Sequence, residues 1–425
     1  MTRLRIEGGH EISGTVKVRG NKNAVLPMIA ASLLTDEAII LHNVPNILDV
    51  SSMLDIAASL GVEIRRDNTT LYLRAGNIKT TVIPAKFCSS TRSSFLFSGP
   101  LLARCGSATI CAPGGDMIGR RRLDAHFYGL ASLGAKVDGD SYPLIFETSG
   151  LQGRELFFDE ASVTATEHVM MAAVLARGTT IIRNAAAEPH VQDLAELLIL
   201  MGADISGVGT NTIIIQGKET LSGADFTISG DHIEAASYLI MSAVTGGSLT
   251  LEGVSPKHFW MQRRVFEKFG IGLSFENDEI ILPPRQKLEI TPDFGNAIPV
   301  ISDGPWPQYP SDMMSCTIVM GTQAAGTTLF FEKMFESRLY FVDMLISMGA
   351  NAIVCDPHRV VIAGPSKLRG MEISSPDIRA GMAMVIAATV ADGVSIINNA
   401  EVIYRGYDSV VDTILDLGGV AEKIK

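Results

Sequence analysis

One short signature returns six times along this chain and limits what it can fold into. A large apolar residue is followed by glycine and a third residue that is usually small or apolar, and then usually by a strand. The six copies are Leu60-Gly61-Val62, Leu133-Gly134-Ala135, Met201-Gly202-Ala203, Phe269-Gly270-Ile271, Met348-Gly349-Ala350 and Leu417-Gly418-Gly419. Their glycines are 73, 68, 68, 79 and 69 residues apart, so six units of about 70 residues fill the 425-residue chain.

The third unit shows the content of each. Glu167–Ala176 reads as a small-residue-rich apolar helix stopped at Arg177-Gly178, since glycine readily ends a helix. Thr179–Ile182 is β-branched and reads as a strand. Asn184–Pro189 is a turn, and Val191–Met201 carries Leu194, Leu197, Leu198 and Met201 at helical spacing. Two strands follow Gly202, near Asp204–Ser206 and Thr212–Ile215. Strand-then-loop joints recur at Ala38–Pro45, Ser107–Gly115, Ser248–Val254, Thr327–Phe335 and Val394–Val402. Each unit is therefore αβαββ-like and the chain is α/β (α+β) in class. Six units divide into two domains of three, with the boundary near Ser229. Helices inward with sheets outward, or the reverse, fits the spacing equally.

A length of 425 residues suits two or three domains, and 47% hydrophobic content is ample for packed cores. A net charge of −11 argues against a nucleic-acid or anionic-membrane surface. Five cysteines, odd in number and without a CxxC pair, fit a reducing compartment. With no signal-like N-terminus and no apolar run of membrane-spanning length, the expectation is a cytoplasmic protein. There is no GxxxxGK[ST], GxGxxG, HExxH or GxSxG. His168, on a small-residue helical face, reads as a packed histidine rather than a ligand, and neither metal nor organic cofactor is expected.

Against this acidic background, Cys111–His126 stands out. Pro113, Gly114 and Gly115 break regular structure, which puts Asp116 on a loop expected to be mobile, and Arg120, Arg121 and Arg122 follow at once. An anion site and a solvated basic turn both fit this stretch alone. Lys22 and Asn23 precede the apolar stretch Ala24–Leu34, where a helix N-terminus favours an anion, although asparagine there is also an ordinary cap. Asp312, ahead of an apolar helix Met313–Met320, is either a cap or a carboxylate poised to take a proton. Arg338, Arg379 and Arg405 each sit at a strand-to-helix joint. If the repeats bring such joints together, Lys22, Arg92, Arg121, Arg338, Arg379 and Arg405 surround one polyanionic substrate.

Taken in order, Lys22-Asn23, the Pro-Gly-Gly loop, Ser162-Val163, Asp231-His232-Ile233-Glu234, Ser311-Asp312, Phe335-Glu336-Ser337-Arg338, Asp377-Ile378-Arg379 and Arg405-Gly406-Tyr407 resemble the enolpyruvyltransferases over essentially all 425 residues. The resemblance implies a two-domain inside-out α/β barrel of six repeats, three per domain. Residues 22–229 would form one domain, and 1–21 with 230–425 the other, with the site in the cleft between them. It implies transfer of the enolpyruvyl group of phosphoenolpyruvate to the 3-hydroxyl of UDP-N-acetylglucosamine. Position for position, Asp312 would be the carboxylate near the acceptor hydroxyl and Asp116 the loop acid. Lys22, Arg121 and Arg405 would hold the phosphate, and Arg92, Arg338 and Arg379 would complete the anion site. Asn23, Arg92, Ser162, Val163, Asp312 and Phe335 would contact the nucleotide sugar.

Asp116 replaces the cysteine most of the family carries there, which implies insensitivity to fosfomycin. Thr164, His190, His232 and Tyr404 also depart from the usual pattern, on the acceptor side. Two alternatives stay open: another acceptor, such as a different nucleotide or shikimate 3-phosphate, and a non-catalytic paralogue that binds a nucleotide sugar.

Overall fold

The computed structural model describes residues 2–116, 118–138 and 141–424; Met117, inside the basic loop stretch, lies outside the described residues. The chain divides into two compact units, one of residues 20–115 and 122–229, the other of residues 1–19, 116–121 and 230–425.

Within the first unit, three helices form the centre: α1 (Lys22–Ala31), α2 (Ser98–Cys105) and α3 (Val163–Ala173). Every residue of α1 except Asn23 is buried, as are Ala165–Ala173 of α3. A surface helix buries one stripe, whereas a helix apolar all round is enclosed. The small side chains of α3 allow it to pack against both α1 and α2. The second unit is built alike, with α4 (His232–Val244), α5 (Ser311–Gln323) and α6 (Ile378–Val390) packed mutually. All of α4 is buried.

The strands alternate instead. Thr212–Gln216 and Arg359–Gly364 each bury every second residue, the period of a sheet with one face on a core and one in water. The open choice is thereby decided: helices lie inside each unit and sheets outside.

Among the described residues there are six separate sheets, five of four strands and one of three, and none closes into a barrel. In five of them one edge strand pairs in parallel with the first strand of a repeat, as Glu155–Phe157 does with Thr179–Arg183. Ala224–Thr227, at the end of the third repeat, pairs in this way with Ala38–His42 of the first. In the second unit, Gly14–Lys17 pairs with Leu249–Glu252, and Arg3–Glu7 lies between Val394–Asn398 and Val420–Ile424.

The six signature glycines have one physical role. Gly61, Gly134, Gly202, Gly270, Gly349 and Gly418 all have positive φ, between 74° and 112°. Each follows an outer helix and turns the chain through the left-handed conformation that costs glycine least. Helix limits differ from expectation by a few residues, and two of them show why. The helix read as Glu167–Ala176 is α3, which starts earlier because the Ser162 hydroxyl accepts from Ala165 N at 3.4 Å and caps it. It ends at Ala173, before Gly178. Likewise α1 starts at Lys22, capped by Asn21 rather than Asn23, and the last turn, Ser32–Leu34, is 3₁₀.

Candidate active site

In the second unit, Pro310 ends the preceding loop and α5 begins at Ser311. Asp312 stands in its first turn, but its carboxylate does not cap the helix. It accepts from Arg338 Nη2 at 3.1 Å and from Arg379 Nε and Nη2 at 3.0 and 2.7 Å. Both arginines are buried, while the Asp312 side chain keeps 30% exposure. It is thus a carboxylate fixed by two guanidiniums with an open edge.

Each arginine is placed by its own element. Asp377 caps α6, accepting from Arg379 N and Ala380 N at 2.8 and 2.9 Å, and so sets Arg379 in the first turn. Arg379 Nη1 also donates to the Tyr407 hydroxyl at 3.2 Å, which in turn meets Ser237 of α4 at 3.0 Å. Burial alone would lower the Arg379 pKa. The Asp312 carboxylate, together with Tyr407 and Asp231, outweighs it and raises the value well above the ordinary one. Arg338 opens a 3₁₀ turn, Arg338–Phe341, with its guanidinium 5.1 Å from the centre of the Phe335 ring.

Asp116 lies on the loop as expected and accepts from Arg405 Nη1 at 2.6 Å. Arg121 is half-buried, and that burial lowers its pKa against the opposing pull of Asp116 and Asp312. Glu336 pins this segment: it accepts from Arg120 N at 3.0 Å, while Ser337 N donates to Ile118 O. Those backbone N–H groups, its own and that of Arg120, hold the Glu336 carboxyl below its usual range. A Cβ on Gly119 would come within 2.5 Å of Glu336 Oε2, and Gly119 has φ +132°, so glycine is required there. The fold therefore gathers Asp116, Arg121, Asp312, Arg338, Arg379 and Arg405 around the ends of α5 and α6: four guanidiniums against two carboxylates.

The remaining expected residues belong to the first unit. Lys22, at the start of α1, pairs with Asp49 at 2.8 Å, both side chains at least nine-tenths buried. Arg92 opens a 3₁₀ helix, Arg92–Phe97, and donates to the Arg122 carbonyl at 3.0 Å. Ser162 caps α3 and Val163 is its first residue. These three elements pack on one another, each with its expected residue at the N-terminal end, where the partial positive charge favours anions.

Three of the four departures from the family pattern, Thr164, His232 and Tyr404, have clear places. The Thr164 hydroxyl meets His126 Nε2 at 3.1 Å, His126 Nδ1 meets His168 Nδ1 at 3.2 Å, and His168 Nε2 meets Ser98 at 2.9 Å. Burial depresses both histidines, His168 to about 3, so His168 is the packed residue expected. His232 is buried beside His258 and Trp306, and burial lowers it to about 3. The Tyr404 ring lies 4.9 Å under Lys423 Nζ.

A family model described as EPSP synthase (3-phosphoshikimate 1-carboxyvinyltransferase) matches residues 6–414. The chain belongs to the EPSP synthase family. The UDP-N-acetylglucosamine 1-carboxyvinyltransferase of Borreliella burgdorferi is 49% identical over 420 residues, 99% of this chain and 98% of that one. The protein of the same name from Treponema denticola is 50% identical over 414 residues, 97% of each chain. Among solved structures, the enolpyruvyl transferase NikO from Streptomyces tendae matches at TM-score 0.89 and 20% identity over 99% of each chain. EPSP synthase from Acinetobacter baumannii matches at 0.79 and 18% over 100% of each. At those identities the likeness is one of fold, and it is the EPSP synthase family's fold.

Some residues around these family motifs were not singled out from the sequence. Asp49 pairs with Lys22, Glu336 holds the loop, Glu332 accepts from Ser311 next to Asp312, and Asp303 accepts from Lys333 N. Asp49 and Asp303 look like ordinary acids in turns, and Glu332 like the end of a strand. Only Glu336, inside a quoted motif, carried a signal.

Proposed function

We propose that this chain transfers the enolpyruvyl group of phosphoenolpyruvate to the 3-hydroxyl of UDP-N-acetylglucosamine, releasing phosphate. The observation that carries the choice of acceptor is near-50% identity, over almost the full length of both chains, to enzymes named for that reaction. The acceptor oxygen bonds to C2 of phosphoenolpyruvate while a proton goes to C3, forming a tetrahedral phospholactoyl adduct. Loss of a C3 proton and cleavage of the C2–O bond then expel phosphate and restore the vinyl group.

In this reading Asp312 takes the hydroxyl proton at its open edge. Asp116 is the loop acid; it donates only when protonated, because an ionised carboxylate is purely an acceptor. Lys22, Arg121 and Arg405 hold the phosphate, and Arg92, Arg338 and Arg379 complete the anion site, stabilising charge as it develops. Asn23, Arg92, Ser162, Val163 and Phe335 contact the nucleotide sugar. The Thr164 hydroxyl, already bonded to His126, supports this reading because its polar group is satisfied within the first unit. The reaction would serve peptidoglycan precursor synthesis in the cytoplasm, and through it cell shape and division.

The test is phosphate release from phosphoenolpyruvate with UDP-N-acetylglucosamine, UMP or shikimate 3-phosphate as acceptor. Release only with UDP-N-acetylglucosamine is expected. Release with another acceptor alone would keep the mechanism and change the substrate, and none with any would favour a binding paralogue. Fosfomycin gives a second check. Its epoxide is opened by a thiolate, a far better nucleophile than a carboxylate. Intact-mass spectrometry should find no adduct on the wild type and a single adduct on Asp116→Cys; an adduct at Asp116 sinks this expectation.

A further inference from the structure

Two carboxyl groups that the mechanism does not use hold the segments on either side of Asp312 and Phe335. Glu332 and Asp303 are both fully buried. Glu332 Oε1 accepts from Met334 N, Phe335 N and Ser311 Oγ at 3.1, 3.0 and 2.9 Å, and Oε2 lies 2.8 Å from the same hydroxyl. Arg338 Nε is 3.7 Å from Oε2. One side chain thus ties the first turn of α5, which carries Asp312, to the turn that carries Phe335 and leads into Arg338.

Asp303 holds the same turn from below, accepting from Lys333 N at 2.6 Å. Its other oxygen, Oδ2, is buried and receives no hydrogen bond from a described donor. Asp303 N also donates to Phe331 O at 3.3 Å, so Asp303 is bonded to the backbone on both sides of Glu332. Two ionised carboxylates offer only acceptors and repel each other, and burial enlarges that penalty. A single proton between them supplies the missing donor and removes one charge.

From this geometry we infer that Glu332 and Asp303 hold one proton between them, and that the protonated pair is the positioning element that sets Asp312 and Phe335 for the transfer. Burial, followed by Asp303, raises the Glu332 pKa to about 8 against the opposing pull of Arg338. The charged and titratable groups around it are Asp303, Asp312, Lys333, Arg338, His358 and Arg359. Neither Asp303 nor Glu332 touches substrate in this reading, so both act through Ser311–Asp312 and the 333–335 turn.

The inference rests on the enolpyruvyl-transfer reading, and its test compares variants across pH. Wild-type kcat should fall above pH about 8, as the shared proton leaves. Glu332→Gln and Asp303→Asn each leave one carboxyl and one amide donor, so both should retain activity at pH 6.5 and lose the alkaline fall. Glu332→Ala should cut kcat about 100-fold, the scale of a small misplacement of a reacting group, and change the phosphoenolpyruvate KM far less. An alkaline fall that persists unchanged in both amide variants, or Glu332→Gln as impaired as Glu332→Ala, overturns the inference. If the wild type releases no phosphate, the functional reading fails by itself. Thermal melts then still decide the pair: the midpoint should drop between pH 6.5 and 9 by less in Glu332→Gln than in the wild type.

Discussion

Asp312→Ala is expected to lower acceptor-dependent phosphate release by about 10²- to 10⁴-fold, the range lost with a positioned acid or base. Alanine does more than remove a base. Arg338 and Arg379, both buried, would lose their shared carboxylate, and leaving a buried charge without its partner costs about 3–5 kcal/mol. The melting midpoint of Asp312→Ala should therefore fall as well. Asp312→Asn keeps the shape and an acceptor oxygen, so it should melt closer to the wild type while remaining as inactive as alanine. Steady-state phosphate release and a thermal melt on the same three proteins separate the effects. An asparagine variant with near wild-type kcat would remove Asp312 from proton transfer.

The second large effect concerns stability across pH, where two sets of buried groups act in opposite directions. Burial depresses His168 and His232 to about 3 and His258 to about 4. Their unfolded pKa is near 6.5, so between there and about 3 the unfolded chain binds more protons than the folded one. This contribution is fully present above pH 6.5 and lost as pH falls toward 3. For His168 or His232 it is on the order of 5 kcal/mol, at about 1.4 kcal/mol per pKa unit.

Glu234 and Glu332 behave oppositely, each raised to about 8, chiefly by burial. Their unfolded pKa is near 4.5, so the folded chain holds the extra proton between 4.5 and 8. That contribution is complete below 4.5 and lost as pH rises through 8. From these groups the stability curve should be a dome with its top between pH about 4.5 and 6.5. His168→Asn should flatten the acid flank and Glu234→Gln the alkaline one, read from urea midpoints at pH 4, 5.5, 7 and 8.5. A midpoint that climbs steadily from pH 5.5 to 8.5 would contradict the dome.

How much of this was legible in the chain depends on the range of the forces involved. The six glycines could be read because a left-handed residue after a helix is a local requirement, set by the clash a Cβ would make with its own backbone. Asp204–Ser206, seen as a strand, is a strand, because its pattern is short and local. The helix read as Glu167–Ala176 was misplaced by a few residues, because the Ser162 cap set its start.

The expected cations and carboxylates could be named from motifs, but the motifs say nothing of partners. Asp312 pairs with residues 26 and 67 positions away, and Lys22 with Asp49 in the first turn of the helix Leu48–Leu60. Thr164 stood out only as an added side chain at a departure from the family's pattern. In the structure its hydroxyl is one end of a buried chain that runs through two histidines to Ser98.

By itself, then, the sequence determined the repeat, the α/β class and the set of residues able to carry a polyanion reaction. These follow from backbone sterics, side-chain periodicity and the chemistry of individual side chains. Tertiary structure decided that helices lie inside and sheets outside. It also decided that Asp312 is clamped rather than capping, and that the buried Glu332 and Asp303 both hold the 333–335 turn. Those outcomes depend on which distant segments exclude water from one another, and burial is what turns an ordinary acid or histidine into a group with a shifted charge and a fixed partner.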